Sequence, residues 1–134
     1  MNSWQKVFRD GIAPQLSTPG LDELHKALRR NDPALLQGQT TDPLPCPKND
    51  PCPVAAACPI ALAGWRGQRL RSVAEVEEFF AQVLCQAGNA LGDPAAGRPF
   101  FQFADTADRQ TFLRELRAEV IRALAERVGK PGPA

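Results

Sequence analysis

Apolar residues recur along most of this chain at the three-and-four spacing that gives a helix one apolar face. Trp4, Val7, Phe8 and Ile12 carry it first, predicting a helix from Asn2 to about Ala13 that Pro14 ends. Leu21, Leu24 and Leu28 carry it next. Ser17-Thr18-Pro19 supplies a cap with proline in the first turn, and Arg29-Arg30 suit a helix C-terminus. Asp32-Pro33 predicts one more turn through Leu36. Residues 37–50 lose the period and are rich in Pro, Thr, Asp and Gly, so they read as an ordered loop. Asp50-Pro51 is expected to cap a short helix through Ala57, with a kink or restart at Pro59 and an end at Gly64.

In the second half, Ser72-Val73-Ala74-Glu75 fits a capping box and opens the clearest helix, to about Leu91. Val76, Phe80, Val83 and Ala87 share its apolar face, and Gly92 follows as a stop signal. Pro94 predicts a short helix carrying Phe100, Phe101 and Phe103, with Pro99 able to delay its start. Asp105 or Thr106 is expected to cap the last helix, which runs to Val128. Its stripe is Phe112, Leu116, Val120, Leu124 and Val128, with Leu113 and Ile121 beside it. The arginines and glutamates of that helix, Arg114 to Arg127, read as a solvated, weakly paired face.

No segment alternates apolar and polar residues as a half-buried strand does. The expected fold class is therefore all-α: a compact bundle of five or six helices with a Pro/Cys-rich irregular insertion near the middle. A single helical domain over 1–129 and a disordered tail at 130–134 complete the expected organisation.

Composition changes little in this picture. A chain of 134 residues, 43% hydrophobic and 23% charged, suits one globular domain with a real core. A net charge of +1 gives no global field toward DNA or lipid. The first residues, MNSWQKVFRDG, lack the apolar run of a secretory signal. No stretch approaches the roughly 20 apolar residues of a membrane span. The expectation is a cytoplasmic protein that makes no membrane contact.

Candidate chemistry gathers in the middle. Cys46, Cys52 and Cys58 each precede a proline and recur at a six-residue step. Soft thiolates suit zinc, an iron–sulfur cluster or a haem iron, although this spacing is looser than that of common structural zinc sites. On the Ser72 helix, Cys85 points roughly opposite the apolar face. If the Cys-Pro loop folds over that polar face, Cys46, Cys52, Cys58 and Cys85 would form a four-thiol metal site. The competing reading makes the cysteines small apolar plugs in a proline-stiffened loop, with redox chemistry as a further option. Of these, a chain without a cofactor is the preferred expectation.

Beside the cysteines lies a stretch without acids, Pro51 to Ala74. It contains Trp65, Arg66, Arg69 and Arg71, directly before a helix start. Arginines and free helix N–H groups together suggest an anion site for phosphate, nucleic acid or an acidic partner. Trp65 and Phe101 are the candidate partner-binding aromatics. No glycine-rich phosphate loop or nucleophile motif is present, so an enzyme is not expected. The leading expectation is a small soluble helical interaction module or accessory subunit without catalytic activity, binding another protein. Metal, iron–sulfur or haem binding through the Cys-Pro cluster is the alternative. Nucleic-acid or phosphate binding through residues 66–71 ranks third.

Overall fold

The computed structural model describes residues 3–43 and 52–129. Ser3 opens the first helix, α1 (Trp4–Val7), its hydroxyl accepting from Lys6 N at 3.2 Å. The expected helix to Ala13 does not stay regular. It widens into a π-helical turn over Phe8–Ile12 and tightens into a 3-10 turn over Ala13–Gln15. Pro14 sits within that last turn instead of ending the helix before it. At an early 3-10 position its missing N–H has no bond to lose.

Helix α2 (Thr18–Arg30) follows as its caps dictate. The Ser17 hydroxyl accepts from Gly20 N at 3.0 Å, Pro19 lies in the first turn, and Asn31 ends the helix in the left-handed region. Asp32 then makes a turn, its carboxylate accepting from Ala34 N at 2.9 Å and its carbonyl from Leu35 N at 2.9 Å.

The expectation of no strand is wrong. Strand β1 (Thr41–Pro43) pairs antiparallel with β2 (Val54–Ala57), setting Thr41 opposite Ala57 and Asp42 opposite Ala56. The helix expected through Ala57 is therefore absent; its proposed cap at Asp50 lies outside the described residues. Proline explains the change. Pro53 and Pro59 push the residues before them, Cys52 and Cys58, toward extended backbone. The few residues left between are too few to nucleate a helix. Pro59 likewise starts a helix and kinks none. Cys58 is extended at φ −66° and ψ 169°, and α3 (Pro59–Gly67) begins at once, running past Gly64. Of the irregular insertion, residues 44–51 lie outside the described residues; the rest of that stretch is this strand and helix.

Helix α3 is buried on every side from Pro59 to Gly64 and forms the centre of the core. It packs against α2 and against α4 (Val73–Leu91). The capping box of α4 forms as expected: Ser72 Oγ accepts from Glu75 N at 3.2 Å, and Glu75 Oε1 accepts from Ser72 N at 3.2 Å. Gly92, at φ 67°, closes it in a conformation that a side chain would strain.

Helix α5 (Arg98–Thr106) starts at Arg98, not Pro94, with Pro99 in its first turn. Thr106 belongs to α5, so neither it nor Asp105 caps the last helix, α6 (Arg109–Gly129). That role falls to Asp108, whose carboxylate accepts from Thr111 N at 3.0 Å. The expected tail at 130–134 lies outside the described residues. Aromatic rings tie α5 to the N-terminus. Trp4 stacks on Phe103 with centroids 3.9 Å apart, and Phe8 on Phe100 at 5.8 Å.

Candidate interaction site

Helix α6 has apolar residues on two faces. Phe112, Leu116 and Val120 are buried in the core. At about 100° per residue, Leu113, Leu124, Ile121 and Val128 form a second stripe, about a quarter turn away. Ile121 is 45% exposed and Val128 87% exposed, and they are the exposed large hydrophobics among the described residues. Scattered exposed apolar residues are ordinary; these two lie on one stripe of one helix.

Helix α2 lies antiparallel beside α6. Arg109, at the start of α6, donates to Asn31 Oδ1 at 2.8 Å and to the Asp32 carbonyl at 3.0 Å, at the end of α2. Arg127, near the other end, donates to Thr18 Oγ1 at 3.1 Å and to the Ala13 carbonyl at 2.8 Å. Between these two clamps the helices enclose a groove of about 440 Å³. Leu28, Leu113 and Ile121 supply apolar lining, and Arg29, Arg114 and Arg117 supply the charge.

Of the five arginines of α6, two are tied to α2 and the N-terminal segment, two line the groove, and Arg122 lies near Arg9 and Glu119 on another side. Arg109 and Arg127 are held by the fold. Arg114 and Arg117, with Arg29 of α2, make no ion pair or side-chain hydrogen bond among the described residues. No acid lines the groove. The nearby charges are felt by His25 on α2. Burial chiefly, and then the positive charge of Arg117 and Arg29, hold its pKa below 6.5, against a smaller opposing effect of Asp22.

The arginine stretch before α4 is arranged differently. The Arg66 guanidinium donates to Asp32 Oδ2 at 2.6 Å and lies 4.8 Å from the Trp65 ring centroid. Arg69, in the left-handed region at φ 57°, and Arg71 are exposed. At the helix start, the anion in place is the chain's own Glu75 carboxylate. It accepts from the backbone N–H groups of Ser72 and Arg71 and from the Ser72 hydroxyl, which holds its pKa below 4.5. Trp65 is half-buried. Phe101 is also half-buried, packed on Phe80 and Phe100 with centroids 5.6 Å away in each case.

The cysteines occupy three different environments. Cys58 is buried at the start of α3, and burial pushes its thiol up to about 11. Cys85 is exposed, on a shallow depression shared with Gln15, Gln68, Gln82 and Gln86. Cys52 is disulfide-bonded. Cys46 lies outside the described residues. Among the described residues no three His, Cys, Asp or Glu side chains gather as metal ligands would.

Sequence reasoning assigned Arg29, Arg114 and Arg117 no site role, and the expected core stripe, with Leu113 and Ile121 beside it, is wrong at its end, where Val128 is exposed. The signal was present: at about 100° per residue the stripe from Phe112 to Val128 drifts by about 160°, so the two ends cannot share one face of a straight helix. Set against protein-family models, curated proteins and solved structures, the chain finds no significant match in any of the three. No helix among the described residues is long and apolar enough to cross a membrane.

Proposed function

We propose that this chain is a small helical interaction module or accessory subunit, without catalytic activity of its own, that acts by binding another protein. The observation that carries this reading is the second apolar stripe of α6, with Ile121 and Val128 open to solvent. The core needs neither side chain, since Phe112, Leu116 and Val120 already fill it from the same helix. An exposed apolar stripe costs solubility, and a partner helix or sheet that covers it recovers the burial. The surrounding arginines match the composition of interface anchors.

The test is photo-crosslinking in the cells of origin, with a benzophenone side chain placed at Ile121 or Val128 and, as control, at the exposed Glu78 of α4. Discrete adducts from the first two positions and none from the third are expected. No adduct from either α6 position defeats the reading.

A further inference from the structure

The groove between α2 and α6 has a definite chemical character. Its lining carries three arginines, no acid, and the apolar Leu28, Leu113, Ala118 and Ile121, of which Leu28 and Leu113 show only their edges and Ile121 is half-open. The arginines make no ion pair among the described residues. The charge of two of them, Arg117 and Arg29, reaches His25 and adds to the effect of burial in favouring its neutral form. We infer that this groove docks an acidic amphipathic helix of a partner protein, its apolar face on Leu28, Leu113 and Ile121 and its carboxylates on Arg29, Arg114 and Arg117. The inference rests on the interaction-module reading and adds the chemistry of the partner.

Three observations favour this occupant. The groove is a trough between two antiparallel helices, the shape into which a third helix lays its ridges. Planar guanidinium groups beside apolar side chains suit carboxylates flanking an apolar stripe, because each Arg can take a carboxylate bidentately. A second copy of this chain is disfavoured by charge: a two-fold contact would set the same arginines against one another. A nucleic-acid strand would leave the apolar lining of the groove uncovered.

Two acids that act electrostatically on this region, Asp22 and Asp108, do not line the groove. Asp22 acts on His25 from the same helix, against Arg29 and Arg117. Asp108 is held by Thr111, whose backbone N–H and hydroxyl it accepts, and Arg114 contributes only weakly to its lowered pKa.

The probe is a synthetic peptide of about 16 residues, some 24 Å as a helix. Leucines stand at every third or fourth position and glutamates on both flanks; its twin carries lysines in place of the glutamates. Fluorescence anisotropy against the full chain gives both affinities. The expected result is that the glutamate peptide binds about tenfold or more tightly than the lysine twin, with affinity falling as salt rises. In R114E/R117E the preference should invert, and I121D should weaken both peptides. Among the described residues the two substituted arginines make no ion pair or side-chain hydrogen bond, so the variant should keep the wild-type circular dichroism and a cooperative melt.

Equal binding of the two peptides overturns the inference, as does a preference unchanged in R114E/R117E or no binding of either peptide. So does Arg114- and Arg117-dependent binding of anionic lipid vesicles or of single-stranded DNA without binding of the glutamate peptide. Crosslinking from Ile121 that survives R114E/R117E leaves the module reading standing while it removes the acidic partner.

Discussion

Arg9 and Glu119, 110 residues apart, form a two-pronged ion pair: Nε donates to Oε1 at 2.6 Å and Nη2 to Oε2 at 2.8 Å. Glu119 is 8% exposed, whereas Arg9 keeps 42% of its side chain in water. The π-helical turn carries Arg9, so this pair fixes the N-terminal segment to α6. Removing Arg9 strands a buried carboxylate, which costs more than the pair contributes. R9M should therefore lower the melting temperature by more than the double variant R9M/E119L does. Thermal melts of the wild type, both single variants and the double variant check this. A double variant no more stable than R9M contradicts it.

Gly67 and Gly20 stand where the backbones of α2 and α3 come close together. A β-carbon on Gly67 would stand 2.2 Å from Gly20 Cα and 2.5 Å from Gly20 N, both of them backbone atoms that cannot swing aside. G67A should cost about 1–3 kcal/mol, as over-packing of a close contact does. Urea unfolding of the variant gives the figure, and a midpoint equal to the wild type's would show that the two helices separate freely.

What was legible in the sequence was local. Ser17, Ser72 and Gly92 set helix ends through their own near neighbours, and each end falls where the residues indicate. What was hidden depended on distant partners. Thr41–Pro43 has no strand pattern of its own and becomes a strand only by pairing with Val54–Ala57. The spacing of Pro53 and Pro59 was the available clue to the extended run between them. The last helix misled for the same reason. Its arginines and glutamates suggest local pairs, yet Glu119 turns inward to Arg9, and Arg114 and Arg117 make no ion pair among the described residues. The groove lies where α6 runs beside α2, on a different side of α6 from Glu119.

Asp32 joins the turn after α2 to α3 through Arg66. The hydrogen bond from the Arg66 guanidinium, followed by that from Ala34 N, holds its carboxyl below the ordinary 3.8. In acid the unfolded chain thus takes up a proton before the native state does. The stabilisation is complete above 3.8 and is lost as pH falls through the lower, folded value. D32N should be less stable near neutrality and show a shallower loss in acid, read from urea midpoints between about pH 6 and about pH 2.5. Glu75 and Asp108 shift in the same direction, so the slope should be reduced and not abolished. A slope identical to the wild type's would remove the Arg66 pair from the account.

The thiols should separate by reactivity. Cys85 is exposed; Cys58 is buried and, at about 11, stays protonated near neutral pH. Brief iodoacetamide labelling of the native protein should modify Cys85 and spare Cys58, which should label only after denaturation. Peptide mapping by mass spectrometry reads both sites. Labelling of Cys58 at the rate of Cys85 would mean that the start of α3 opens in the native state.

His25 reports on the groove field without any ligand. Its pKa lies below 6.5, chiefly because of burial and then because of Arg117 and Arg29, so the native state favours the neutral ring. Its contribution to stability is complete above 6.5 and is lost as pH falls through the folded value, where the unfolded chain binds the proton more readily. R117Q removes one of the two positive charges and leaves burial in place. The His25 pKa, followed by NMR titration of the single imidazole, should rise toward 6.5 in R117Q without reaching it. R117E should raise it further, because the new carboxylate favours the imidazolium. An unchanged titration in both variants would show that Arg117 swings away from α2 in solution, and the groove would then lack one of its three cations.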